Sequence, residues 1–169
     1  MLTGRDILIY KSIIYEGDFE KICESIRKRE EIDRERLARE LSNLKCSVTT
    51  ILDDDFPQYL THVKNPPLVL FYYGDISLIN DYKNNLAVVG SRIPSEYGKK
   101  VTRHFVSELS KDFTIVSGLA NGVDTIAHET ALENNGKTVA VIGCGIENCY
   151  PTENLPLSER IKKEGLLIS

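Results

Sequence analysis

The chain lacks any long apolar run: nothing in its 169 residues approaches the roughly 18 consecutive apolar residues of a membrane-crossing helix. Its first ten residues carry charge at Arg5 and Asp6, where a secretory leader would have its apolar centre. The reading is a cytoplasmic protein with no membrane partner. The chain also lacks an excess of positive charge. With 21 Lys+Arg against 25 Asp+Glu and a net charge of −4, there is no overall electrostatic footprint for nucleic acid. Of the four cysteines, Cys23, Cys46, Cys144 and Cys149, Cys144 and Cys149 lack the spacing and the second Cys or His pair of a zinc set. They read as unpaired structural thiols of a reducing compartment. Repeats and low-complexity segments are absent too.

The cofactor and nucleophile signatures are equally missing. A dinucleotide fingerprint needs G-x-G-x-x-G in the first strand-to-helix turn and an acidic residue about 20 positions on. Here that turn is Gly90-Ser-Arg92, and Gly143-Cys-Gly145 has no third glycine. No glycine run ends in Lys-Ser or Lys-Thr, which removes the Walker loop. Ser91 and Ser117 lie outside any G-x-S-x-G elbow. Asp124 and His128 are four apart and share a helix face, as an acid-base pair would. The favoured alternative is that Asp124 caps the helix and His128 packs or hydrogen-bonds at its first turn. No catalytic residue, metal or cofactor is expected.

What is present is three segments of one kind: Leu86-Ala-Val-Val-Gly-Ser-Arg92, Ile115-Val-Ser-Gly-Leu-Ala-Asn-Gly-Val-Asp124 and Thr138-Val-Ala-Val-Ile-Gly-Cys-Gly145. Each is a β-branched or small apolar run that stops at glycine before a helix-patterned stretch, which is the sequence of strand-turn-helix units in a parallel sheet. Strands are predicted at 86–89, 114–116, 138–142 and 166–169, and helices at 97–111, 125–134 and 155–163. The first helix should turn Val101, Phe105 and Leu109 to the core, and the second Ile126, Ala127 and Ala131, with Gly136 as its stop. Residues 68–73 should be a strand of the same sheet. The three glycine turns would then share the carboxyl edge, where backbone amides and helix N-termini converge on phosphate.

Upstream, residues 7–14, 19–26 and 34–44 carry apolar positions at helical spacing amid heavy charge, with Asp6 and Asp18 as caps and Asp33 ahead of Leu37 and Leu41. The fold class is therefore α/β: a Rossmann-like parallel sheet with helices on both faces over residues 47–169, preceded by a small helical domain over 1–46. The sheet reads as the first part of a larger one. Residues 166–169 would form its unpaired edge, a surface through which the chain would associate.

Residues 1–84 hold 12 Lys+Arg and 15 Asp+Glu, and residues 85–169 hold 9 and 10. Within the second part, Arg92, Lys99, Lys100 and Arg103 gather with only Glu96 against them. This is either a solvated helix surface or a phosphate-facing one. Tyr97 and Tyr150 lie near the turns, to stack bases or to pack in the core.

Val89-Gly-Ser-Arg92 with Pro94 and Tyr97-Gly98, then Val116-Ser-Gly-Leu-Ala-x-Gly122-x-Asp124 with Ala127-His128, then Leu132, Gly136-x-Thr138, Gly143-x-Gly145, Tyr150-Pro151 and Asn154 resemble the bacterial DNA-processing protein A family (DprA/Smf). Phe56-Pro57, Leu60, Pro66-Pro67, Leu70 and Gly74 are similar to the segment before its Rossmann-like domain. The resemblance implies a protein that binds single-stranded DNA without catalysis, protects it during natural transformation and helps load the RecA recombinase, with a homodimer for the full-length form. The residues expected to contact DNA phosphates are Gly90, Ser91, Arg92, Lys99, Ser117, Gly118, Leu119, Ala120, Gly122, Gly143 and Gly145. The alternative is a nucleotide-binding or nucleoside-phosphate-hydrolysing protein of the lysine-decarboxylase-like group, which places glycine turns at the same edge.

Overall fold

The computed structural model describes residues 2–80 and 82–169. The chain falls into two compact units, one ending at Phe71 and the other covering Tyr72–Ser169.

The first unit opens with three short helices, α1 (Gly4–Ile14), α2 (Phe19–Arg27) and α3 (Arg34–Asn43). Thr3, not Asp6, is the cap of α1. Its side chain accepts from the Asp6 amide, and the Asp6 carboxylate accepts from the Thr3 amide and hydroxyl. In such a capping box the carboxylate works three residues inside the helix. Asp18 and Asp33 cap α2 and α3 through the amides of Lys21 and Arg36. Strand β1 (Ser47–Thr50) and the start of β2 (Val69–Gly74) follow. Leu8, Ile9, Ile22 and Val69 form the core of this unit. Its acidic turn is tied down by Arg5, whose Nε donates to both Asp53 oxygens at 2.8 and 3.0 Å while its guanidinium also reaches the Val48 carbonyl at 2.6 Å.

The second unit alternates strand and helix as its glycine-punctuated segments require: β3 (Asn85–Ala87), α4 (Glu96–Leu109), β4 (Thr114–Ser117), α5 (Val123–Glu133), β5 (Thr138–Val141), α6 (Leu155–Glu164) and β6 (Leu166–Ile168). The sheet order is β1-β2-β6-β5-β4-β3. β3, β4, β5 and β6 are parallel neighbours in chain order, with Leu86 opposite Ile115, Val116 opposite Val139 and Ala140 opposite Leu167. β2 joins them antiparallel, Tyr72 opposite Ile168.

That last pairing corrects one expectation. The strand at 166–168 is not an open edge, because β5 lies on one side and β2 on the other, and Leu166, Leu167 and Ile168 are buried. A strand paired on both sides offers no free backbone groups for association. A second correction concerns α4. Ile126, Ala127 and Ala131 of α5 do face the core as expected, but they receive Val106, which is 1% exposed, whereas Phe105 is 58% exposed. Packing against α5 and Ile115 fixes the helix about one residue out of phase with the aromatic stripe. A neighbouring cluster of Leu119, Leu132, Ala140, Ile142, Leu157, Ile161 and Leu167 packs beside α6.

His128 lies fully buried on α5, with Nδ1 at 2.6 Å from Thr138 Oγ1. The Thr138 hydroxyl itself donates to the Ile115 carbonyl at 2.8 Å, so Nδ1 carries the hydrogen and donates. Nε2 is then an unprotonated buried nitrogen with no partner among the described residues. The histidine thus ties α5 to β4 and β5 and is not an acid-base partner of Asp124. Burial depresses its pKa from 6.5 to about 4. As the pH falls below 6.5 the unfolded chain takes up this proton before the folded one does, and stability drains away until the folded pKa near 4 is reached. The full loss should be about 3 kcal/mol. Urea unfolding at pH 7.5 and pH 5 should show a drop in the parent protein. The drop should be clearly smaller in His128→Gln, and equal drops would remove this histidine as the cause.

Candidate functional site

Because β3, β4 and β5 run parallel, the loops that follow them emerge at one edge of the sheet, all within the second unit. After β3 the chain continues the ladder to Val88, whose N–H donates to the Val116 carbonyl at 2.9 Å. It then turns through Gly90, Ser91 and Arg92, where Ser91 Oγ accepts the Ile93 amide at 3.1 Å. Ser95 caps α4 by accepting from Gly98.

The loop after β4 is held from three directions. From within, Asp124 Oδ2 accepts the Gly118 and Ala120 amides at 3.1 and 3.3 Å. Asp124 therefore restrains the preceding loop and does not cap α5, whose N-cap is Gly122. From the segment before α6, Asn154 Nδ2 donates to the Leu119 carbonyl at 2.9 Å and to Thr125 Oγ1 at 2.8 Å, and that hydroxyl donates on to the Ala120 carbonyl. From the β3 loop, the Ser91 carbonyl accepts the Val123 amide at 3.1 Å. Gly122 sits at the crossing with φ +84, and a Cβ built there would lie 2.3 Å from the Ser91 carbonyl oxygen and 2.6 Å from that of Arg92. Only glycine allows both the backbone conformation and the approach.

Two hollows open on this edge with Arg92 and Asn121 shared between them. One, of about 280 Å³, is lined also by Gly118, Ala120, Ile142, Gly143, Cys144, Tyr150 and Pro151. The other, of about 370 Å³, is lined by Ile93, Pro94, Lys99, Gly122, Thr125, Ile126 and Asn154. Among the described residues no ion pair or side-chain hydrogen bond engages the exposed Arg92 guanidinium, whereas Lys99 pairs with Glu96 at 2.7 Å. That pairing also holds the Glu96 carboxyl below its ordinary pKa. An unpaired guanidinium shared by two hollows of mixed polar and apolar lining is suited to a bidentate anion such as phosphate.

The sequence-derived candidates separate here. Arg92, Gly118, Ala120 and Gly143 line the first hollow and Arg92, Lys99 and Gly122 the second, while Gly90 and Ser91 line neither and lie in the turn that leads to Arg92. Ser117 and Leu119 turn inward: Ser117 is 4% exposed with its hydroxyl donated to the Val88 carbonyl at 2.7 Å, and Leu119 is 0% exposed in the core. Ser117 therefore ties β4 to the β3 loop and has no hydroxyl to offer a ligand. Gly145 shapes its own turn, with φ +84 and its carbonyl accepting from Asn148. Tyr97 and Tyr150 are 77% and 72% exposed, so neither is a core tyrosine, and only Tyr150 lines the first hollow. Asn121, Cys144 and Asn154 line the hollows without having been singled out as contacts. The exposed polar Asn121 between Ala120 and Gly122 was the readable signal for the first of these.

The model of the family described as DNA recombination-mediator protein A matches residues 47–169. The chain belongs to that family. It is 41% identical over 139 residues to DNA processing protein DprA of Streptococcus pneumoniae, covering 82% of this chain and 48% of that protein. The X-ray structure of DNA processing protein A from the same organism superposes with a TM-score of 0.74 at 38% identity, over 89% of this chain and 50% of the other. The Helicobacter pylori DNA processing protein A, solved for its single-stranded DNA binding mode, superposes at 0.62 and 33% identity, over 76% and 56%. The chain thus spans about half the length of these relatives. Among the described residues, no helix is long and apolar enough to cross a membrane.

In this DprA-family chain, Gly122→Ala should drive the β3 and β4 loops apart. We expect a destabilisation of about 1–3 kcal/mol from the strained backbone and the clash, read by thermal unfolding. A variant as stable as the parent would mean that the two loops are not locked here.

Proposed function

We propose that the carboxyl edge of the β3-β4-β5 sheet binds single-stranded DNA by its phosphates, without catalysis. In the whole protein this binding would protect the strand and help load the RecA recombinase during DNA uptake, with a homodimer as the working form. The observation that carries the reading is Arg92, unpaired between two hollows that share it. The residues placed against the strand are Gly90, Ser91, Arg92, Gly118, Ala120, Gly122 and Gly143, with Lys99, already paired to Glu96, on the wall of the second hollow. Exposed Tyr150, on the wall of the first hollow, supplies a stacking face worth about 1–3 kcal/mol per base. The edge needs no excess of basic residues over the whole chain, because one guanidinium at the loops' convergence acts at contact distance. Single-stranded DNA binding by the Helicobacter pylori relative supports the same reading.

Replacing Arg92 removes a charge-assisted bidentate contact, costing about 1.5–3 kcal/mol, whereas an exposed helix charge is worth a few tenths. Arg92→Ala should therefore weaken oligonucleotide binding roughly tenfold or more. It should also lower the slope of log affinity against log salt by about 0.7. Lys100→Ala on α4 should change little. Anisotropy titrations of a labelled oligonucleotide at several salt concentrations decide it. Equal binding by Arg92→Ala and the parent would take this turn out of the DNA site. Tight binding of free AMP without oligonucleotide binding would favour a nucleotide-binding role instead.

A further inference from the structure

The loop between β5 and α6 carries two cysteines, Cys144 and Cys149. Asn148 folds the loop back on itself: its N–H donates to the Gly145 carbonyl and its Nδ2 to the Cys144 carbonyl, both at 2.9 Å. The Cys144 thiol in turn donates to the Asn148 carbonyl at 2.8 Å. The Cys144 sulfur is thereby held against the peptide unit that leads into Cys149. Their surroundings differ. Cys144 is exposed and lines the hollow beside Arg92. Cys149 is half-buried and packs on the Leu119–Leu157–Ile161 cluster. The Cys149 thiol donates to the Pro151 carbonyl at 3.5 Å, and burial chiefly raises its pKa. Both are free thiols.

We propose that Cys144 and Cys149 form a reversible disulfide that reshapes the hollow beside Arg92. Hydrogen peroxide is the oxidant. The Cys144 thiolate attacks one peroxide oxygen, forming S–O and breaking O–O, and the departing hydroxide takes up a proton. Cys144 becomes a sulfenic acid and the peroxide is reduced to water. The Cys149 thiolate then attacks the Cys144 sulfur, forming S–S and breaking S–O, and a second water leaves. In sum two thiols and one peroxide yield one disulfide and two waters, and an external dithiol reverses it by exchange. Exposed Cys144 reacts first and half-buried Cys149 resolves it. Bonding requires Cys149 to leave its packing or Cys144 to leave Asn148. The first movement drags Tyr150 and Pro151, which wall the hollow, and the second moves Cys144, which lines it as well. The effect on binding rests on the DNA reading of this edge, whereas the thiol chemistry does not.

The test uses the full chain, reduced and then treated with hydrogen peroxide. Trypsin releases residues 138–160 as one peptide holding both cysteines, since no Lys or Arg lies between Lys137 and Arg160. We expect this peptide to lose the mass of two hydrogens and to regain it with dithiothreitol. Oligonucleotide affinity should fall about fivefold on oxidation as the wall loses its preorganisation. Cys149→Ser should bind like the reduced parent, and peroxide should add oxygen to its Cys144 without removing two hydrogens from the peptide. A peptide that keeps both thiols, gains oxygen only, or pairs with Cys23, Cys46 or a second chain would overturn the proposal. A disulfide with unchanged affinity would overturn its effect on the hollow. If even the reduced protein fails to retain oligonucleotide, the DNA reading falls, and the peptide mass still decides the disulfide.

Discussion

The carboxylate of Asp124 is the contact around which the candidate site is arranged. It takes the amides of Gly118 and Ala120 and so holds the β4 loop open in a conformation that no repeating backbone pattern would satisfy. A carboxylate that accepts two backbone amides makes charge-assisted bonds stronger than neutral ones, and these two fix the path of a loop whose Gly118 is exposed and whose Ala120 is half-buried. With that loop set, Leu119 can adopt φ +59 and drop its side chain into the core, leaving the small residues on either side at the surface. Asn154 and Thr125 complete the restraint from the segment before α6.

The division of labour among polar groups follows from this frame. Asp124, Ser117, Asn154 and Thr125 spend their hydrogen bonds on the scaffold, while Arg92 spends none among the described residues. The basic residues near the edge are likewise unequal. Lys99 already has Glu96, and an exposed pair of that kind leaves little net field for a ligand. A formal charge of −4 for the chain thus describes the surface as a whole and not the place where the three loops meet. In the proposed reading, recognition of an anion there depends on the one guanidinium that the scaffold leaves unpaired.

The strand-glycine-helix rhythm was legible because parallel β-strands are near-continuous apolar runs and their turns end in glycine. The strands around 86, 115, 139 and 167, the cap Asp18, and the inward line Ile126, Ala127 and Ala131 all follow from local preference and periodicity. So does the convergence of Gly90, Arg92, Gly118 and Gly143, which requires only that neighbouring strands be parallel. The family resemblance rested on the same residues and is carried by the match over residues 47–169.

Where reading along the chain failed, the deciding partner was distant. Phe105 and Val106 are equally good candidates for a helix's buried face until α5 and Ile115 select the phase. Ser117 looks like a free hydroxyl until β4 is set beside Val88. Asp124 looks like a helix cap, because one sequence position serves either the helix it begins or the loop it ends. Residues 166–168 look like an edge until β2, which precedes all the parallel strands in the chain, pairs with them from the other side. Periodicity and turn chemistry are properties of adjacent residues and can be read locally. Hydrogen-bond partners, helix phase and strand order are properties of pairs brought together by burial, and packing alone assigns them.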